Sequence, residues 1–199
     1  MTRSITWACI VQLDFSAVFD RVSQSGLLFK LKSIGVQLVA ACCPFVGNSS
    51  PTAGMPQGVP QGSLLSPLLF ILYSSEMFEL VENGLYAYAY DSTLLAVVRQ
   101  QADRPAVAAS LNKDLAGIQE WCSNWCMILN LNKTKALTLP LVNPVNPSLG
   151  DLVLSGVSIN AGPNLDIVGV KLDFKLTFED HVSGIVSHVS LRELVFRGW

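Results

Sequence analysis

The sequence has little charge, no basic surplus and no long apolar run, and each shortage narrows what the chain can be. Only 14% of its 199 residues are Asp, Glu, Lys or Arg, while half are apolar. Such a chain has the material for a buried core and does not read as disordered. Lys and Arg number 13 against 15 Asp and Glu, for a net charge of −2. An autonomous nucleic-acid binder ordinarily carries a basic surplus, so charge alone does not point to one. Mean hydropathy is high at +0.42. Yet the longest apolar stretches, Val36–Val46 and Pro67–Tyr73, are far shorter than the roughly 20 residues that cross a bilayer. Both read as core, and no membrane partner is expected. The N-terminal MTRSITWACI lacks the pattern of a signal peptide, so an intracellular place, nucleus or cytoplasm, is expected rather than secretion. The five cysteines are odd in number, which argues against a disulfide framework. Cys122 and Cys126 stand four apart on one face of an expected helix. The only histidines, His181 and His188, are distant in sequence, so the two cysteines read as small buried hydrophobes.

What is present is hydrophobic periodicity. Ile5, Trp7, Cys9, Val11 and Leu13 alternate within an apolar fill, predicting a buried strand over Ile5–Phe15 that closes on Asp14. Leu27, Leu28, Leu31 and Ile34 predict a helix over Ser25–Ile34, stopped by Gly35. Residues 44–63 are rich in Pro and Gly and read as loop. Ser66 is placed to cap a helix with Pro67 at its first position, running to about Leu80. Leu85–Val98 reads as a hairpin turning at Tyr90–Asp91–Ser92, with a carboxylate at its tip. From Asp103 and Pro105 onward, Val107, Leu111, Leu115, Ile118, Cys122 and Trp125 predict a long helix. Short strand-like runs follow at Ala136–Leu141, Asp151–Leu154 and Ile167–Leu172, then a helix over Ser183–Phe196. Helices mix with antiparallel strands without βαβ alternation, so the fold class is α+β.

Two-metal phosphoryl transfer needs carboxylates from separate parts of a chain to meet, because divalent cations take hard oxygen ligands. Asp14 at a strand end and Asp91 in a hairpin are candidates. Taken alone, an Asp at such a place is more often a turn residue or helix cap.

The motif strings add a resemblance. LDFSAVFD at 13–20, GVPQGSLLSPLLFILY at 58–73, YAYDSTLLA at 88–96, WCMILNLNKTKAL at 125–137 and NLDIVGVKLD at 164–173 resemble, in family order, motifs A to E of the reverse transcriptase of non-LTR (LINE-type, jockey- or CR1-like) retrotransposons. The resemblance implies a reverse transcriptase palm, an antiparallel sheet packed on helices, over residues 1–175, with a thumb beginning at 176–199. The family's fingers are expected to be missing and the thumb truncated. The implied activity is RNA-directed DNA polymerisation by two-metal nucleotidyl transfer, with two Mg2+ (or Mn2+) ions as cofactors. RNA template, DNA primer and dNTPs are the implied partners.

Roles carry over position by position. Asp14 and Asp91 would hold metal, and Phe15 would lend its backbone carbonyl beside them. Phe19 would sit under the incoming sugar, although a core aromatic explains it equally well from the sequence. Gln61 and Gly62 would lie against nucleotide and template, or form an ordinary turn. Lys133 would approach the triphosphate, or be a solvated loop lysine. Leu165 and Gly169 would belong to the primer grip.

One departure bears directly on chemistry. Where the family has the first of two motif C aspartates, this sequence has Tyr90, and a phenol with a pKa near 10 stays neutral at physiological pH. Alternatively the motif slips by one, with Asp91 first and Ser92 second, at the cost of turning side chains to the other face of a strand. Ala17 and Val18 also replace the Lys-Ala of the LINE pattern. Impaired polymerisation is the expectation. The alternative is a catalytically inactive palm-fold remnant serving at most as a nucleic-acid or protein interaction module.

Overall fold

A computed structural model describes residues 7–36, 57–88, 91–140, 150–159 and 161–196. Its centre is an antiparallel sheet of four strands in the order β2-β3-β1-β4, formed by β1 (Trp7–Asp14), β2 (Gly84–Tyr88), β3 (Asp91–Val98) and β4 (Lys135–Pro140). β1 is central because both its faces are apolar: Trp7, Cys9, Val11 and Leu13 point one way and Ala8 and Ile10 the other, all buried.

Helices cover the first face. α1 (Val18–Arg21) and α2 (Gln24–Ser33) follow β1, α3 (Ser66–Ser74) runs on into a 3-10 turn at Ser75–Glu79, and α4 (Arg104–Asn124) is the longest helix. Leu111, Leu115 and Ile118 of α4 and Tyr73 and Met77 of α3 and its 3-10 turn join Val11, Leu13 and Leu94 in one core. Each such side chain contributes roughly 1.5–3 kcal/mol on leaving water. The opposite sheet face carries a smaller cluster of Ile10, Leu137, Leu139 and Leu165. A hairpin pairs β5 (Leu152–Leu154) with β6 (Val157–Ile159), and Leu165 comes from a further hairpin of β7 (Asn164–Ile167) and β8 (Val170–Asp173). α5 (Glu179–Phe196) follows. Asp173 sets its start by accepting from the backbone N–H groups of Lys175, Thr177 and Phe178. Burial alone would raise its carboxyl, but these bonds hold it below the ordinary range.

Two buried polar groups tie the helices together. Tyr73, with no exposed surface, donates its hydroxyl to the Trp125 carbonyl at 2.6 Å and accepts from the Ser23 N–H at 3.2 Å. Lys30, 4% exposed, donates to the Tyr73 carbonyl. Its Nζ lies 3.4 Å from Glu76 and 3.9 Å from the Trp125 ring centre. Burial lowers the Lys30 pKa, and the nearby Glu76 carboxylate opposes that shift.

The α+β class and the antiparallel sheet on helices agree with the sequence reading, and five local expectations are corrected. Ser66 does not cap α3: it is the first helical residue, and its hydroxyl donates to the Pro60 carbonyl. Asp91 is not at a turn tip, because β2 ends at Tyr88 and β3 already begins at Asp91, paired with Tyr88. Cys122 and Cys126 do not share a helix face: α4 ends at Asn124, and Cys126 is exposed in the left-handed region at φ 57° while Cys122 is buried. The run Ile167–Leu172 is not one strand, since Val168 and Gly169, at φ 48° and 80°, turn it into the β7–β8 hairpin. The last helix starts at Glu179 rather than Ser183, because Asp173 organises the preceding turn. Residues 44–56 of the loop expected over 44–63, and Tyr90, lie outside the described residues. Among the described residues no helix is long and apolar enough to cross a membrane.

Candidate active site

The site forms where β1 ends. Asp14 is the last residue of the strand, and its Cα partner across the ladder is Asp91, the first residue of β3. Directly opposed residues of an antiparallel pair project to the same face, with Cβ atoms about 5 Å apart. Two carboxylates are thereby brought together at one end of the two inner strands. Burial and the Asp14 charge both push the Asp91 carboxyl above its ordinary value, burial being the larger cause. Ser92, opposite Leu13, is 1% exposed on the other, core-facing side. The one-residue slip considered from the sequence therefore sets Asp91 opposite Asp14 but leaves Ser92 turned away from the pair.

After Asp14 the chain is held by the turn that precedes β4. Asn130 donates its N–H to the Asp14 carbonyl at 2.8 Å, and the Ser16 N–H donates to the Ile128 carbonyl at 2.9 Å. The Asn130 carbonyl in turn accepts from Lys133 N, Thr134 N and the Thr134 hydroxyl at 3.1, 3.0 and 3.0 Å. This turn carries Lys133 Nζ to 3.7 Å from Asp14 Oδ2. Lys133 is largely solvent-exposed, with 68% of its side chain accessible against 22% for Asp14. It supplies a solvated cation beside a half-buried carboxylate.

Ala17 then takes a left-handed conformation, φ 50° and ψ 46°, at the entrance to α1. A non-glycine residue there is strained by about 1–2 kcal/mol. The bend directs α1 across the end of the sheet. Phe19 packs edge-on against Phe70 of α3, with ring centres 5.6 Å apart. The loop before α3 docks on the same short helix: Gly58 N donates to the Val22 carbonyl and Val59 N to the Phe19 carbonyl, both at 2.8 Å. Gly58 sits at φ +94°, where a Cβ would stand 3.4 Å from the Phe19 oxygen, which favours glycine there. Gln61 follows, and its Nε2 donates to Asp20 Oδ1 at 2.9 Å.

These elements enclose a cleft of about 400 Å3, whose lining includes Asp14, Phe15, Phe19, Asp20, Gln61 and Lys133. Gly62 is in the adjoining turn at φ +82°. Asp91 instead borders a neighbouring apolar hollow of about 300 Å3, with Tyr86, Tyr88, Ile167 and Val168. The β7–β8 hairpin thus approaches the carboxylate pair from the far side. Leu165 is buried beneath the sheet, Gly169 forms the hairpin turn, and Gln12 reaches across to donate to the Asp166 carbonyl. The sequence reading missed Asp20, although the signal lay in the same string, LDFSAVFD, which ends on it.

No group of three or more His, Cys, Asp or Glu that could hold a metal occurs among the described residues. The carboxylates at hand are the Asp14–Asp91 pair and, along the cleft, Asp20, one oxygen of which accepts from Gln61. An acidic pair in which one carboxyl is raised by its neighbour is the donor chemistry a hard divalent cation would relieve.

Comparison with known proteins is consistent along the chain. Residues 2–172 match the family model described as reverse transcriptase (RNA-dependent DNA polymerase). The chain is similar to the RNA-directed DNA polymerase from mobile element jockey of Drosophila melanogaster, 30% identical over 191 residues, covering 87% of this chain and 20% of that protein. A probable RNA-directed DNA polymerase from transposon BS of the same organism is 28% identical over 201 residues, covering 86% and 21%. The chain therefore spans about a fifth of the length of the curated relatives it matches. Among solved structures, an apo telomerase from Candida tropicalis truncated from its C-terminal domain superposes with a TM-score of 0.52 at 16% identity, over 89% of this chain and 36% of that one. At that identity the likeness concerns the fold.

Proposed function

This chain belongs to the reverse transcriptase family, and from that premise we propose that it is the palm of an RNA-directed DNA polymerase in which residues 1–175 carry the reaction centre and 176–199 open the thumb. The observation that carries the reading is the cross-strand pairing of Asp14 with Asp91 where β1 ends, between the cleft that Asp14 lines and the hollow that Asp91 borders. In this reading Asp14 and Asp91, with the Phe15 carbonyl, hold Mg2+ or Mn2+. When bound, the ions would supply Lewis-acid stabilisation of the reacting phosphate and its leaving group. The protein's own side chains supply the rest. Lys133 offers a cation to the triphosphate, Phe19 forms the wall under the sugar, and Gln61 and Gly62 face the nucleotide and template. Leu165 and Gly169 support the primer from the β7–β8 hairpin. RNA template, DNA primer and dNTPs are the ligands this arrangement fits.

Tyr90 immediately precedes Asp91 and brings no carboxylate. The site thus has one acidic residue fewer than the chemistry prefers, and we read its polymerase activity as reduced. The test is primer extension on an RNA template by this chain joined to the flanking segments of a jockey-type polymerase. Tyr90→Asp should raise extension by about tenfold or more, in line with the effect of a single electrostatic group at a reaction centre, and Asp14→Ala should abolish it. Equal extension by the unsubstituted chain and the Tyr90→Asp variant removes the impairment, and extension unchanged by Asp14→Ala removes the site itself.

A further inference from the structure

We infer that Asp20 is a positioning residue for Gln61, its carboxylate setting which way the Gln61 carboxamide faces in the cleft; the inference rests on the reading of that cleft as a nucleotide site. The loop carrying Gln61 is held on either side of that residue. Gly58 and Val59 are tied by backbone hydrogen bonds to α1 and the residue after it, and the Ser66 hydroxyl holds the Pro60 carbonyl. Ser63 N donates back to the Pro60 carbonyl at 3.3 Å, which closes the turn and leaves Gln61 and Gly62 at its surface. A Cβ built at Gly62 would meet no atom within 4 Å, and Gln61 itself is exposed. A glutamine at such a place has several rotamers and two nearly isosteric ends, so nothing in its own loop decides whether oxygen or nitrogen faces a ligand.

Asp20 decides it. An ionised carboxylate only accepts hydrogen bonds, so its 2.9 Å contact with Gln61 must be made by the amide nitrogen. One N–H is committed to Asp20, which leaves Oε1 and the second N–H for a ligand bearing both a donor and an acceptor, such as the sugar or base edge of a nucleotide. Asp20 is itself fixed. It belongs to α1, which with the residue after it holds the same loop through the Phe19 and Val22 carbonyls, and Asp20 N bonds the Ala17 carbonyl at 3.1 Å. The left-handed Ala17 bend therefore orients the Asp20 carboxylate relative to Asp14, earlier in the same string, and through it the Gln61 amide. Both partners are solvent-exposed, so the contact contributes little to stability; its consequence is orientation, which counts when ligand binding would otherwise have to freeze the side chain.

The experiment is binding of dTTP with Mn2+ by titration calorimetry to the wild-type chain and to Asp20→Ala, Asp20→Asn, Gln61→Ala, the Asp20→Ala/Gln61→Ala double variant and Asp14→Ala, each also melted. Asp20→Ala and Gln61→Ala should each weaken binding about tenfold, the scale of one oriented hydrogen bond. The double variant should be no weaker than either single one, because both remove the same interaction. Asp20→Asn, which keeps an acceptor oxygen, should stay within about threefold of wild type, and the Asp20 and Gln61 variants should melt with the wild type. Wild-type binding that is lost in Asp14→Ala but unchanged in Asp20→Ala overturns the role of Asp20 alone, as do additive losses in the double variant. Absence of wild-type binding, or binding indifferent to Asp14→Ala, overturns the nucleotide-site reading and this inference with it.

Discussion

Asp14 and Asp91 stand directly opposite each other across the β1–β3 ladder, and the charge of the first, added to burial, raises the carboxyl of the second. A carboxyl whose folded pKa exceeds its unfolded one binds more protons in the folded state through the window between the two values. Stability therefore falls as pH rises from the ordinary carboxylate range through the raised folded value. Asp91→Asn removes the ionisation and should melt higher than wild type near neutral pH in metal-free buffer, the difference closing in acid. Thermal melts of both proteins across pH test this; an Asn variant that melts lower at neutral pH would speak against repulsion within the pair.

Lys30 is a second buried charge, with a different purpose. Its amino group bonds the Tyr73 carbonyl, faces Glu76 and lies over the Trp125 ring. Removing the side chain strips α2, α3 and the end of α4 of a shared partner. Lys30→Ala should cost about 2–4 kcal/mol in denaturant unfolding, whereas Lys30→Met, which keeps the packed stem, should cost less. An alanine variant within about 0.5 kcal/mol of wild type, the ordinary range for surface substitutions, would mean the knot is dispensable.

Asp114, 1% exposed on α4, receives Glu82 N at 2.9 Å, Asn83 N at 3.0 Å and Asn83 Nδ2 at 2.7 Å. These bonds fix the start of β2 and hence the strand that leads toward Asp91. Asp114→Ala should destabilise by about 3 kcal/mol and speed amide exchange in Gly84–Tyr88 first. Unchanged exchange in that strand would show that pairing with β3 alone holds it.

The three cysteines among the described residues divide by environment. Burial pushes the Cys9 and Cys122 thiols up to about 12, whereas Cys126 is exposed. Brief alkylation of the native protein followed by mass spectrometry should label Cys126 well before Cys9 and Cys122. In the linkage sense, both raised thiols contribute stability below their unfolded value and lose it above about pH 9. Early labelling of Cys9 would indicate that β1 opens readily.

Much of this arrangement is legible before any coordinates, for identifiable reasons. The alternation Trp7-Cys9-Val11-Leu13 and the helical spacing Leu111-Leu115-Ile118-Cys122 declare themselves through burial, and Asp14 is found because it ends the first pattern. What escapes is local geometry unrelated to hydrophobic period. The four-residue α1 is too short for any periodicity and depends on a left-handed Ala17 that no propensity favours. Val168 is β-branched, so its turn conformation hides inside a strand-like run. Cys126 follows Cys122 at helical spacing, but the helix has already ended. The Asp20–Gln61 contact joins residues 41 apart by side chains alone, and only the fold reveals it.

The central claim, that Asp14 and Asp91 form a divalent-cation site at the end of β1, is tested most directly by titrating Mn2+ into the wild-type chain and into Asp14→Ala while following the free ion by electron paramagnetic resonance. The account predicts saturable binding by wild type that disappears in the variant. Saturable binding of equal affinity in both, or none in wild type, would contradict it.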